Sequence, residues 1–109
     1  MTDNEKQKIK AMYDHYNYKC FVSGKPAKMR AHIIGDTKPN IKRYGLEIIC
    51  NSLNWLPAAD LHCNSLIDIS NDPIKRELVA MLIMQGEREL IEDEVRLNIE
   101  RKEAKVDRG

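Results

Sequence analysis

The order of apolar and polar positions predicts a chain that begins and ends with amphipathic helices. In residues 5–16, apolar and aromatic side chains recur every three or four positions, which is the repeat of a helix with one buried face. Residues 73–85 carry a similar stripe, and Asp72 followed by Pro73 is a typical helix start. After a glycine, residues 87–105 predict a final helix with many charged positions.

Short apolar segments between these helices predict strands. Residues 19–22 and residues 29–34 each predict a strand, because each segment is apolar and ends at a turn-forming residue. Residues 53–56 predict a further short strand. Pro57 then stands where a proline can open a helix at its first turn, so a helix is expected over residues 58–69.

The middle of the chain has a weaker pattern. Residues 35–45 are polar and rich in lysine, arginine and turn formers, which predicts an exposed basic loop of the kind where binding residues concentrate. Residues 46–50 fit either a short strand or a helical turn.

Length and composition narrow the class of protein. A chain of 109 residues predicts a single domain, residues 1–109. No apolar run is long enough to cross a bilayer and the first residues lack the apolar stretch of a secretory signal, so a cytoplasmic protein without a membrane partner is expected. An odd number of cysteines also argues for a reducing compartment; these are Cys20, Cys50 and Cys63.

Charge is divided unevenly between the two halves. Residues 1–57 carry ten Lys and Arg against five Asp and Glu, whereas residues 58–109 carry eight against twelve. A basic half suits a partner that bears phosphates. Taken alone, the division is explained equally well as the ordinary unevenness of a small protein.

Three polar residues in and near the basic half have a spacing that suits phosphodiester hydrolysis. This reaction needs a base for the attacking water, a cation at the phosphate and donors that hold the substrate. His32 leaves an apolar strand, and a neutral histidine is a good base near neutral pH. Asn54, on the next predicted strand, is placed to bind the histidine or its loop. Asn64, on the helix that follows, can bind a hard cation that keeps several waters.

Four segments are informative when their order is considered together. They are Tyr18-Lys19-Cys20-Phe21-Val22-Ser23-Gly24, Ala31-His32-Ile33-Ile34, Leu53-Asn54-Trp55-Leu56-Pro57, and Cys63-Asn64 followed by Ile67-Asp68. The set resembles the HNH nuclease family and covers roughly residues 18–70, about half of the chain.

The resemblance implies a fold and an activity. The fold is α+β, with a small ββα-metal core over residues 18–70, an N-terminal helix, and two helices in a C-terminal extension over residues 72–105. The activity is that of a DNA endonuclease that depends on Mg²⁺ or Mn²⁺. In this H-N-N variant His32 is the general base, Asn54 supports it and Asn64 is a metal ligand. Contacts to the DNA backbone are expected from Arg30, Lys42 and Arg43.

Two positions depart from the family pattern. Many members have an aspartate before the catalytic histidine as a second metal ligand, and this chain has Ala31. The cation would then depend on Asn64, on waters, and on a further ligand such as His62 or an acidic residue. Many members also hold the core with paired Cys-x-x-Cys motifs around zinc, which this chain lacks, so no structural zinc is expected.

Other interpretations of the same residues remain open. His32 is also what a core histidine at a strand end looks like, and Asn54 is also a suitable turn cap. Ala31 favours a nucleic-acid-binding module whose metal site has decayed. The three cysteines with His62 would suit a small zinc-stabilised interaction protein. The apolar stripe of the last helix exceeds what one small core needs, which suits a homodimer through the C-terminal helices.

Overall fold

The computed structural model describes residues 2–107 and the side chains of residues 2–104. The described chain forms six α-helices: α1 (Asp3–His15), α2 (Lys38–Tyr44), α3 (Leu46–Ile49), α4 (Leu61–Ile67), α5 (Pro73–Gln85) and α6 (Arg88–Asp107). Two strands, β1 (Met29–His32) and β2 (Trp55–Ala58), form an antiparallel sheet, and a 3₁₀ turn, Ser52–Asn54, leads into β2. The predicted α+β class is confirmed.

The two faces of the sheet are covered by different helices. Ala31 pairs with Leu56, and these residues belong to the same buried core as the apolar side of α4. His32 pairs with Trp55, and side chains alternate along a strand, so both lie on the other face. Helix α1 packs on this second face and Trp55 is buried there. His32 and the residue before it therefore point to opposite sides of the sheet.

Helix α4 is held at both ends. Asp60 caps its beginning, because the Asp60 carboxylate accepts a hydrogen bond from the backbone N–H of Cys63. At its other end, the Asn98 amide donates to the carbonyl of Leu66, and the Lys102 ammonium donates to the carbonyls of Ser65 and Asp68. Helix α6 thus supplies the partners that the last carbonyls of α4 lack within their own helix.

The outer helices agree with the sequence pattern. Helices α1, α5 and α6 lie where the apolar stripes predict them, and the Asp72 side chain caps α5 by accepting from the backbone of Ile74 and Lys75. Of the two alternatives for residues 46–50, the helical turn is present as α3. Within residues 2–107, none of the helices has the length and apolar character that a membrane span requires.

The strand predicted over residues 19–22 is wrong. This segment is a tight turn with only an isolated bridge between Lys19 and Pro26. The backbone of Gly24 donates to the Cys20 carbonyl, and Gly24 has a φ of 74°, which glycine adopts without steric cost. The apolar residues therefore pack from a turn rather than from a strand.

The basic loop predicted over residues 35–45 is also wrong, because most of it forms α2. The Thr37 side chain caps this helix by accepting from the backbone of Asn40, and Pro39 occupies the first turn, where a proline is tolerated. The Asn40 amide is buried and donates to the Gly35 carbonyl. The Thr37 cap and the buried Asn40 side chain thus stabilise a helix in a segment whose composition is typical of a loop.

Pro57 does not open a helix, contrary to the prediction. It lies inside β2 opposite Arg30, and the helix begins four residues later at Leu61 behind its Asp60 cap. A proline is tolerated in this strand because the sheet of the described residues has two strands, so no further strand needs an N–H from residue 57; the Pro57 carbonyl accepts from the backbone N–H of Phe21 instead. The strand itself is displaced by two residues from the predicted segment, residues 53–56.

Candidate functional site

Asn54 fixes the backbone that follows His32. It is fully buried, and its carboxamide oxygen accepts from the backbone N–H of Ile34 at 2.8 Å. Its amide nitrogen donates to the carbonyl of Ile34 at 3.0 Å and to that of Ile49 at 3.1 Å. The Asn54 carbonyl also accepts from Ile33. Of the two contacts expected for this asparagine, the structure has the one with the histidine's loop.

His32 is half-buried at the end of β1, beside two large side chains. Its ring meets Trp55 edge-on, with the ring centroids 6.4 Å apart. The Arg30 guanidinium lies on the same face, 4.5 Å from the centre of the Trp55 ring. Glu5 of α1 approaches Arg30 at 3.8 Å, which is too long for a hydrogen bond. The imidazole is thus bounded by an aromatic ring and a neighbouring cation.

The surroundings of His32 favour its neutral form. Burial lowers the pKa of His32 below its ordinary value of 6.5, and the positive charge of Arg30 lowers it further. The negative charges of Asp36 and Asp68 act on this pKa in the opposite direction without reversing the net effect. A histidine that is neutral at pH 7 has a ring nitrogen available to accept a proton.

Two carboxylates near His32 were not singled out from the sequence. Asp36 is exposed on the segment after β1, and Asp68 directly follows α4. One Asp68 oxygen accepts from the backbone of Ser70, and the other lies 3.8 Å from the position that a Cβ on Gly35 would occupy. One signal for Asp68 was present in the sequence, because it follows Asn64 by four residues and so falls on the same side of a helix.

The end of α4 is joined to the segment after β1 by two hydrogen bonds. The backbone of Ile69 donates to the carbonyl of Ile33, and the backbone of Gly35 donates to the Ser70 hydroxyl at 2.8 Å. A side chain on residue 35 would come within 3.0 Å of that hydroxyl. These contacts bring the carboxyl end of α4 to the strand that carries His32.

Helix α4 separates the two residues proposed as metal ligands. Asn64 is half-buried, and its carbonyl accepts from the backbone N–H of Asp68, so the two residues are one turn apart on one side of the helix. His62 is exposed and lies two positions from Asn64, which places it on a different side. The structure places Asn64 and Asp68 on the same side of α4 and His62 on a different side.

The residues present suit a hard cation that keeps much of its water. Ala31 is fully buried on the face toward α4 and offers no oxygen there. Within the described part of the chain, no three His, Cys, Asp or Glu side chains converge as a metal-binding group. Mg²⁺ is commonly held by one or two carboxylates, waters and the substrate's phosphates. An amide oxygen from Asn64 and a carboxylate from Asp68, on one side of α4, are ligands of this kind.

Two of the three cysteines lie together in the core. Cys20 and Cys63 are both buried, and Cys50 is exposed, so only two of the three cysteines behave as small core residues. Burial raises the pKa of Cys20, but hydrogen bonds from Ser23 and other backbone groups outweigh it and lower the pKa to about 7. Burial, with Asp60 and Cys20 as neighbours, raises the pKa of Cys63 to about 11.

The basic residues proposed to contact DNA occupy different surroundings. Arg30 is stacked on Trp55 beside His32. Lys42 and Arg43 lie exposed on α2. Arg43 is engaged with Glu77 of α5, which accepts from its Nε at 2.9 Å and from its Nη2 at 2.6 Å. A phosphate would replace this exposed ion pair at little cost, because such pairs contribute little to stability.

Comparison with known proteins gives no relative for this chain. No family model, no curated protein and no solved structure matches it. The function must therefore be inferred from the side chains around His32.

Proposed function

We propose that the protein is a divalent-metal-dependent DNA endonuclease of the HNH type, in which His32 is the general base. The observation that carries this proposal is a half-buried histidine with a lowered pKa, at a strand end whose following backbone is fixed by Asn54. Burial would lower the pKa of a core histidine as well, so the strand end fixed by Asn54 and the nearby Asp36 and Asp68 are what favour a functional role. The resemblance of residues 18–70 to HNH nucleases supports the same reaction.

In the proposed reaction, His32 accepts a proton from the water that attacks the phosphorus atom. The lowered pKa of His32 keeps the imidazole neutral at the pH of the cell, so most molecules are ready to accept this proton. Asn54 holds the backbone of Ile34 and thereby sets the direction in which the strand end presents the ring. Asn54 is thus a positioning residue.

Asn64 and Asp68 are the residues proposed to hold Mg²⁺ or Mn²⁺. When bound, the cation supplies positive charge to the phosphate and stabilises the leaving oxygen. Asp68 provides the carboxylate that Ala31 does not, from the end of α4 instead of from the strand. Arg30, Lys42 and Arg43 are proposed to hold the DNA backbone through its phosphates.

The test is conversion of supercoiled plasmid to its nicked form with Mg²⁺, with Mn²⁺ and with EDTA. Nicking is expected with either cation and none with EDTA. Asn64→Ala should need a higher Mg²⁺ concentration for half-maximal rate, whereas His62→Ala, on a different side of α4, should behave as the parent. If His62→Ala alone raises the Mg²⁺ requirement, the ligand assignment is wrong. Absence of nicking under every metal would contradict the nuclease proposal.

One observation favours a second candidate function. The buried methyl group of Ala31 leaves the sheet side of the site without a metal ligand, as expected of a nucleic-acid-binding module whose metal site has decayed. Such a module would bind DNA with an affinity that falls steeply with salt, and it would not cleave at any divalent concentration. The plasmid assay and a salt titration of DNA binding distinguish the two candidates.

The pH dependence of nicking should report the charges around His32. The rate should fall on the acidic side with a midpoint below pH 6.5, because burial and Arg30 lower the pKa of His32. Arg30→Gln should move this midpoint to higher pH, and Asp36→Asn should move it to lower pH, since these residues act on the His32 pKa with opposite sign. Initial rates from about pH 5 to about pH 8 at saturating metal would show both shifts. Shifts in the same direction would contradict the role of His32 as base.

A further inference from the structure

The outer face of α5 and α6 carries apolar side chains that the core does not use. Ile74 is 82% exposed, Met81 47%, Leu90 49% and Leu97 44%. Leu78 lies between the two residues of α5 and is only partly buried. We call these five side chains the outer patch.

The outer patch is continuous across the two helices. Its residues on α5 are spaced by four and by three positions, and those on α6 by seven, so each helix presents a single stripe. The helices pack against each other, and an ion pair between Lys75 and Glu94 joins their sides. Because Lys75 lies beside Glu94, the neighbouring α5 residues Ile74 and Leu78 lie alongside the apolar stripe of α6. The exposed apolar area is on the order of 400 Å², the size of the largest apolar patch on a typical monomer, and such a patch is often functional.

The charges along α6 suit a second copy of the same helix. Asp93 lies four residues before Leu97 and Arg101 lies four residues after it, and both are exposed. If two copies of α6 cross antiparallel with Leu97 at the two-fold axis, Asp93 of each copy faces Arg101 of the other. Asp93 already pairs with Arg96 of its own helix at 3.3 Å, but this pair is exposed and such pairs contribute little. Leu90 of each copy then faces the small side chain of Ala104 of the other copy, and each of these residues is seven positions from Leu97. Glu94 would face Glu100, but Glu94 is already paired with Lys75.

We propose that the protein forms a homodimer through the outer patch, with the two α6 helices antiparallel about Leu97. A two-fold interface uses the same patch on both copies, so each partner contributes the same apolar area and the charged residues beside it extend the contact. The dimer does not depend on the proposed function. If both hold, the dimer carries two His32 sites related by the kind of two-fold symmetry that the backbone of duplex DNA also has.

The first test is the molar mass of the full chain by light scattering across a dilution series. The expected mass at high concentration is twice the 12.6 kDa of one chain. Leu97→Glu and Met81→Glu should give the single-chain mass with an unchanged circular dichroism spectrum, because both residues are exposed. Leu61→Glu, which changes an equally apolar exposed residue on α4 outside the patch, should leave the dimer intact. A parent protein that stays at 12.6 kDa overturns the proposal.

A second test examines the position of the axis. In a Cys50→Ser background the remaining cysteines are buried, so a new surface cysteine can be oxidised selectively. Leu97→Cys should then form a covalent dimer readily, because residue 97 meets its own copy at the axis. Leu90→Cys is the matched control, since its expected neighbour is Ala104 of the partner, and it should cross-link at least tenfold more slowly. Equal cross-linking at the two positions overturns the antiparallel arrangement about Leu97.

Discussion

Replacing Asn54 with alanine is expected to lower the free energy of unfolding by about 2–5 kcal/mol, since two buried backbone groups lose their partners at once. These groups are the N–H and the carbonyl of Ile34, whereas the carbonyl of Ile49 loses Asn54 but keeps the indole N–H of Trp55 as a donor. Each buried polar group left without a partner costs roughly 1–3 kcal/mol. The loss of stability is measured by urea denaturation, followed through the fluorescence of Trp55. This residue is buried and directly follows Asn54 in the sequence.

Asn51→Ala is a matched control for this prediction. The Asn51 side chain caps the 3₁₀ turn by accepting from the backbone of Leu53, and it is only half-buried. Loss of such a cap costs about 1 kcal/mol. If Asn54→Ala is no more destabilising than Asn51→Ala, the strand end that carries His32 is not held in the way described.

The second large effect concerns the reaction. His32→Ala should reduce the rate of plasmid nicking by at least about 100-fold, because a positioned base contributes a factor of roughly 10²–10⁴. The fold should change little, since within the described residues the His32 side chain contacts Trp55 edge-on but forms no hydrogen bond. The measurements are single-turnover nicking rates, a urea denaturation curve, and DNA binding in EDTA.

His15→Ala is the control for the loss of a histidine that lies outside the proposed site. His15 is exposed at the last position of α1, and its ring meets Tyr16 rather than any residue of the proposed site. Nicking by this variant should match the parent. Undiminished nicking by His32→Ala would remove the general-base role, whereas lost DNA binding in that variant would indicate a structural role instead.

The long helices were predictable from sequence because their information is local. Helix α5 has an apolar stripe, a proline in its first turn and Asp72 as its cap, and these signals agree with one another. Helix α2 was missed because its helical state depends on a contact outside the segment. Asn40 is buried against the Gly35 carbonyl, and this contact is invisible in the composition of residues 35–45.

The candidate site was predictable only in part, for a similar reason. His32, Asn54 and Asn64 stand at an informative spacing along the chain. The influence of Asp36 and Asp68 on His32 arises because the end of α4 is hydrogen bonded to the segment after β1, which is a tertiary contact. Sequence reasoning also placed the start of α4 too early, at residue 58, whereas the helix begins at Leu61.

The capping of α4 by Asn98 and Lys102 makes α6 a shared support for two regions of the protein. One side of α6 closes the helix that carries Asn64, and the opposite side presents Leu97 to the exterior. A molecule that bound to the outer side of α6 would lie one helix diameter, about 10 Å, from the carbonyls at the end of α4. Residues 18–70 therefore cannot be moved into another protein as an independent unit. Without α6, the last carbonyls of α4, the helix that carries Asn64, would lose their hydrogen-bond donors.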